Sequence, residues 1–302
     1  MTSARRPFCS DAARLRGDDN AATAARVDLW ILVELPCTWG KEPITDAALP
    51  VPVRETLQRA EEAIPRSRIV FIRKRVEPPR ECRVYLVRTT PEAGILTLDL
   101  PSIDDVAAVP FAALATEPMP QAEKPLILVC THGQHDSCCG RRGYPLFDAL
   151  RHREEIDVWQ CSHIGGDRFA ANALVLPWGI YYGPVEPRDA ETLVSAVMAD
   201  EILLDAYRGR SSLSRPVQAA ETFVRRMHNL SRRDALHFLS RETLVDGRMR
   251  IHLRDARGGT HDVTLEHYIA AEGAYPTCTT KAAQPVRQFR MVGYEGRKVV
   301  ES

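Results

Sequence analysis

The feature that most constrains this chain is an apolar run that ends on a cysteine and opens into a polar loop. It reads Leu126-Ile-Leu-Val-Cys130-Thr-His-Gly-Gln-His-Asp-Ser-Cys138-Cys139-Gly140. A helix-like segment follows, and a second short strand then delivers Cys161 and His163 onto the turn Gly165-Gly166, with Asp167 and Arg168 beyond it. Soft ligands placed where buried strands run out into loops are what a metal or cluster site needs. The rest of the chain reads as scaffold for that place.

Cysteine usage supports this. Four of the eight cysteines fall between Cys130 and Cys161, while Cys9, Cys37, Cys82 and Cys278 are scattered. A disulfide framework would spread its cysteines over a small secreted domain, so clustering favours a metal or redox role. Other classes are excluded by composition. Lys+Arg and Asp+Glu are both 40, so no basic field argues for nucleic acid or an anionic membrane surface. No apolar run approaches the length of a membrane span. The first residues lack the apolar centre of a secretory signal, which leaves a cytoplasmic setting as the expectation.

Patterning predicts an α/β protein in five parts. Residues 1–28 read as a flexible arm. Residues 29–109 form a smaller α/β unit, with strands at 27–35, 68–73, 82–88 and 94–100 and a helix from Val51 to Ala63. Residues 110–124, rich in Pro and Ala, read as a linker. Residues 125–212 run strand, ligand loop, helix (143–153), strand, hairpin, helix (187–204), which is a thioredoxin-like layout. Residues 213–302 are expected to hold two amphipathic helices within 214–240, a hairpin across the Asp255-Ala-Arg-Gly-Gly259 turn, and a polar tail. The two α/β halves are candidates for a shared topology.

Eight residues separate Cys130 from Cys139, and three separate His163 from Asp167. Two thiolates from one loop and two ligands from another can hold two irons, one pair on each, and imidazole can replace thiolate on one of them. Zinc suits the same Cys and His donors. A third reading is a metal-free thiol–disulfide oxidoreductase using Cys138, Cys139 or Cys161, although the C-x-x-C spacing is missing. No GxGxxG loop stands in a strand–helix context, so no flavin or nicotinamide site is inferred.

C-x8-C followed by Ser162-His-Ile-Gly-Gly-Asp-Arg-Phe-Ala-Ala-Asn172 resembles the sucrase/ferredoxin-like family of thioredoxin-like 2Fe–2S proteins. Phe8-Cys-Ser10 and Leu176-Pro-Trp-Gly-Ile-Tyr-Tyr-Gly183 are compatible with it. The label does not imply a glycosidase, because no paired carboxylates stand in a sugar-cleaving context. The resemblance implies a 2Fe–2S cluster carrying single electrons between donor and acceptor proteins, with two cysteines on one iron and H-x3-H on the other. Carried over, the ligands are Cys130, Cys139 and His163, with Asp167 where the second histidine stands. Carboxylate is a harder ligand, so Asp167 either binds iron or hydrogen-bonds beside it. Cys161, two residues from His163 on the same strand face, is the first substitute. Cys138, His132, His135 and Cys278 follow. A negative fourth ligand lowers the potential, and an imidazole ligand makes it depend on pH. Gly165 and Gly166 are expected to allow close approach to the cluster or a positive φ, Arg168 to offset its charge, and Arg141-Arg142 to steer a partner.

Overall fold

The computed structural model describes residues 6–46, 49–76, 81–90 and 92–297. After helix α1 (Cys9–Arg16), the first α/β unit runs β1 (Leu29–Glu34), α2 (Pro43–Asp46), α3 (Val51–Ala63), β2 (Ser67–Arg73), β3 (Cys82–Arg88) and β4 (Gly94–Leu100). A short helix, α4 (Phe111–Leu114), leads to the second unit: β5 (Leu126–Cys130), α5 (Ser137–Leu150), β6 (Asp157–Cys161), β7 (Ala173–Leu176), β8 (Ile180–Tyr182), α6 (Ala190–Met198) and β9 (Tyr207–Arg210). Helix α7 (Arg215–His228) and strands β10 (Leu236–Thr243), β11 (Met249–Asp255), β12 (Thr260–Ala274) and β13 (Gln284–Arg297) complete the fold.

Both units are built on one plan. In the first, β1 and β2 are parallel, β3 pairs antiparallel with β1, and β4 with β3. In the second, β5 and β6 are parallel, β7 pairs antiparallel with β5, and β8 with β7. This strand order, second-first-third-fourth, with a helix crossing over between the parallel pair, is thioredoxin-like. The two copies join edge to edge through an antiparallel contact at Ile72↔Cys161 and Arg73↔Gln160, giving one sheet in the order β4-β3-β1-β2-β6-β5-β7-β8-β9.

Alternation along the strands explains how the units pack. Leu29, Ile31 and Val33 point toward α3 and join Val53, Leu57 and Ala60 in a core. Ile127 and Val129 point toward α5 and join Leu146, Phe147 and Leu150. Among the described residues, the opposite faces pack on each other rather than under a crossing helix. There Trp30, Leu32, Val70 and Ile72 from the first unit share one core with Leu126, Leu128, Cys130, Trp159 and Tyr181 from the second. Each such side chain removed from water contributes roughly 1.5–3 kcal/mol, so this shared core fastens the units together.

Several expectations need correction. The segment read as a flexible arm holds α1, whose Cys9 and Ala13 are buried, and Asn20 donates to the carbonyls of Gly183 and Asp205. Its polar composition hid a few well-placed small side chains. The segment read as a linker seats Phe111 in the first core. Helix α5 begins at Ser137 rather than near residue 143, because Asp136 caps it by accepting from the Cys138 backbone N–H at 2.8 Å. Helix α6 stops at Met198, well before 204, and Asp200 turns the chain with φ of 58°. Only one helix, α7, occupies 214–240, and Leu236 onward is strand. The hairpin expected across Asp255–Gly259 is present as β11–β12; β10 and β13 stand in place of the second helix and the polar tail, and complete the four-stranded antiparallel sheet β10-β11-β12-β13 over α7. Val217, Ala220 and Val224 of α7 pack on Leu236, Ile251, Leu253, Val263 and Leu265. Among the described residues no helix is long and apolar enough to cross a membrane.

Candidate metal centre

Strand β5 carries Cys130 to its C-terminal end, in register with Cys161 of β6. The first turn of α5 then returns Cys139 to Cys130. That return requires glycine: a Cβ on Gly143 would stand 1.9 Å from the Cys130 carbonyl oxygen. The chain leaving β6 brings His163 and Asp167 to the same place. The donor atoms of Cys130, Cys139 and His163 all lie within 4.8 Å of one another. Asp167, buried and on the following 3-10 turn, accepts from the Cys139 thiol at Oδ1, 3.0 Å away. The same Oδ1 is 3.0 Å from His163 Nδ1. The two groups are misaligned for a hydrogen bond, and Nδ1 is left buried with no hydrogen-bond partner.

The charges respond to this crowding. Hydrogen bonds from Cys139 and then Cys161 hold the Cys130 thiol well below its ordinary range, against burial, which opposes them. Cys139 is pushed well up, first by its hydrogen bond to Cys130 and then by burial. Burial, the largest influence on His163, would lower it; the nearby Asp167 carboxylate and Cys130 thiol together outweigh burial and raise it to about 9. One buried place thus holds two thiols, an imidazole and a carboxylate.

Neighbours fix the loops. His132 is buried, with Nε2 on the Gly40 carbonyl at 2.7 Å and Nδ1 accepting from the His163 backbone N–H at 3.2 Å. Both ring nitrogens are therefore taken by backbone, and His132 is a strut rather than a ligand. Trp39 meets its ring edge-on. The loop after β1 thus braces the loop after β5, its topological counterpart. His135 lies on the solvent side, stacked on His163 with ring centroids 3.8 Å apart. Arg68 donates to the His163 carbonyl at 2.7 Å.

Sequence reasoning missed Arg208. It is fully buried on β9 and donates to Gly165 O, Asn172 Oδ1, Thr23 O and Thr23 Oγ1 at 2.7–3.1 Å. Burial lowers it to about 10. Gly165 and Gly166 both have positive φ, and a Cβ on Gly166 would strike the Arg208 guanidinium at 2.1 Å. The close approach made there is to Arg208. Arg168 faces Asp18, with Nε 3.5 Å from Oδ2, and lies over the Phe169 ring. Nothing in the local pattern Tyr207-Arg-Gly-Arg210 marks Arg208 as buried.

Cys161 is buried beside Cys130 and belongs to the shared core. Cys138 points elsewhere: its sulfur is 3.4 Å from Cys9 Sγ and 3.3 Å from Cys278 Sγ. Cys138 and Cys139 are therefore not a vicinal thiol pair facing one site. All eight cysteines are free thiols. Arg142 pairs with Asp11, and Arg141 lies over the Phe8 ring, both on the Cys138 side.

A model of the sucrase/ferredoxin-like family matches residues 21–209, more than half of the chain. Among curated relatives, "Altered inheritance of mitochondria protein 32" of Debaryomyces hansenii is 37% identical over 97 residues, 28% of this chain and 36% of that protein. The protein of the same name from Clavispora lusitaniae is 30% identical over 122 residues, 34% of this chain and 45% of that one. The chain thus spans less than half the length of these relatives. Among solved structures, a thioredoxin-like [2Fe-2S] ferredoxin from Aquifex aeolicus is 19% identical, covering 30% of this chain and 94% of that one with a TM-score of 0.26. A cysteine-to-serine variant of that ferredoxin is 18% identical, covering 28% and 99%, also with a TM-score of 0.26.

Proposed function

The chain belongs to the sucrase/ferredoxin-like family, and from that premise we propose that it holds a 2Fe–2S cluster and passes single electrons between a donor and an acceptor protein. The observation that carries this reading is the convergence of the Cys130 and Cys139 thiols and a His163 ring nitrogen, donor atoms all within 4.8 Å of one another, beside the buried Asp167 carboxylate. The donor set fits the group: thiolate suits iron–sulfur clusters, and imidazole can take the place of thiolate on one iron. When bound, the cluster supplies a site that gains and loses one electron.

In this reading Cys130 and Cys139 hold one iron, and His163 with Asp167 the other. The residues around them do the tuning. Asp167 adds a negative charge that imidazole would not, which lowers the potential. Arg208 holds the Gly165–Gly166 turn and places a buried positive charge near Asp167 and Cys139. His163 is the partly exposed member, its side chain 19% accessible, and His135 covers it. The partner's approach is therefore across these two rings. Eight free thiols suit a reducing compartment. Cytoplasm is the first expectation, while the relatives' printed name brings in mitochondria, and localisation of the tagged full-length chain separates the two.

The test is metal and sulfide analysis with an absorption spectrum, on protein purified without oxygen. The expected result is two irons and two acid-labile sulfides per chain, with visible bands that bleach on reduction. Protein that lacks iron and cannot be reconstituted with iron and sulfide would sink the proposal. A second reading is a single zinc ion, which the compact spacing of the Cys130, Cys139 and His163 donors also suits. It predicts colourless protein whose metal at this site disappears in Cys130→Ser.

A further inference from the structure

A second group of donors lies on the other side of the first turn of α5, where Cys9, Asp136, Cys138 and Cys278 bring one ligand atom each within 4.8 Å of the others. We propose that these four residues form a separate, closed zinc site that ties the N-terminal helix and the C-terminal extension to the cluster-bearing loop.

The three sulfurs form a near-equilateral triangle: Cys9–Cys138 3.4 Å, Cys138–Cys278 3.3 Å and Cys278–Cys9 3.6 Å. Four ligands around zinc at a Zn–S distance of about 2.3 Å put sulfurs ~3.8 Å apart, so a small expansion accommodates the ion. The Asp136 oxygens stand 3.8 and 3.9 Å from Cys9 Sγ. A disulfide needs sulfurs about 2.05 Å apart, and three thiols would always leave one over.

Charge and burial point the same way. Cys9, Cys138 and Asp136 are each at most 2% exposed. Among the described residues Asp136 forms no ion pair with Lys or Arg. A buried carboxylate converging on three thiols, without a cation, is the arrangement a divalent metal completes. The surroundings present donors suited to a negative ligand set. The Ser10 hydroxyl donates to Cys138 Sγ at 3.3 Å and the Cys9 backbone N–H to Cys278 Sγ at 3.5 Å. The backbone N–H groups of Cys138 and Cys278 donate to the Asp136 carboxylate at 2.8 and 2.6 Å. Each carboxylate oxygen keeps a lone pair for the ion. With four protein ligands no position is left open, which marks a structural site.

The site is independent of the iron–sulfur reading, and the experiment keeps them apart. Full-length protein, the double variant Cys130→Ser/Cys139→Ser, and the single variants Cys9→Ser and Cys278→Ser are purified from zinc-supplemented medium, and their metals are counted. The expected result is roughly one zinc per chain in the wild type and in the double variant, reduced about tenfold in Cys9→Ser and Cys278→Ser. X-ray absorption at the zinc edge of the wild type, which needs no variant to fold, should give three sulfurs at about 2.3 Å and one oxygen at about 2.0 Å. Zinc absent from wild type and double variant would overturn the proposal. So would zinc that follows Cys130 and Cys139 instead, or a disulfide between any two of Cys9, Cys138 and Cys278 in peptide mass analysis.

Discussion

Cys138 and Cys139 are neighbours in the chain, yet they serve two different groups of donors. Consecutive side chains on a helix are turned by about 100°, so the first turn of α5 sends Cys139 inward to Cys130 and Cys138 outward to Cys9 and Cys278. The inner group is assembled from residues 130–167 and is held by the shared core between the two α/β units. The outer group joins residues that are 269 positions apart. The difference teaches that a dense run of cysteines in sequence can be two sites back to back, with the helix as the wall between them.

Ways to break that division follow, from the largest effect to the smallest. Cys130→Ser or Cys139→Ser should cost bound iron and visible absorbance by roughly tenfold or more, whereas Cys138→Ser should keep most of both. Iron analysis on the three variants checks this; equal losses in all three would merge the two groups into one. Arg208→Met leaves the Gly165 and Thr23 carbonyls and the Asn172 side chain without their donor. It should destabilise the protein by about 3 kcal/mol in urea unfolding and weaken the inner group while leaving the outer one intact.

A more local disturbance comes from Gly143→Ala, whose Cβ collides with the Cys130 carbonyl. Moving α5 off the end of β5 should cost roughly 2 kcal/mol, and lower iron occupancy should accompany it. His132 gives a pH test in metal-free protein. Burial lowers its folded-state value below the usual 6.5. The unfolded chain therefore takes up a proton that the folded one refuses, and stability falls as pH drops below about 6.5. His132→Gln should flatten that slope between about pH 7 and 5.5; an unchanged slope would place the titration elsewhere. The smallest effect is expected from Arg141→Ala, a half-exposed side chain over Phe8, which should shift stability within about 0.5 kcal/mol and leave iron unchanged.

The strands of both units were legible because their apolar runs are continuous or alternate cleanly, as in Leu126–Cys130 and Cys82–Arg88. The helix from Val51 to Ala63 showed its buried stripe at Val53, Leu57 and Ala60. The start of α5 was not legible, since glycines and cysteines dominate its first turns and the cap at Asp136 was masked by other polar residues. Strand β10 is not legible at its start, where 236–240 falls inside the expected helices, because seven of its eight residues are exposed and no inward face alternates with an outward one. The four inner residues stand at short spacings, so spacing and the family resemblance together picked them out as candidates. The outer group could not be picked out in this way, since Cys9 and Cys278 carry no local pattern.

The sequence by itself determined the α/β class, the buried strand that ends on Cys130, and the short spacings at which Cys139, His163 and Asp167 follow it. Periodicity and spacing are local properties, and a single chain displays them directly. Tertiary structure alone decided that the two units share one core, that His132 is a strut, that Arg208 is buried beneath the glycine turn, and that Cys9 and Cys278 meet Cys138. Those facts depend on which surfaces meet when the faces opposite α3 and α5 close, and burial, hydrogen-bond satisfaction and charge pairing at such meetings are set by residues far apart in the chain.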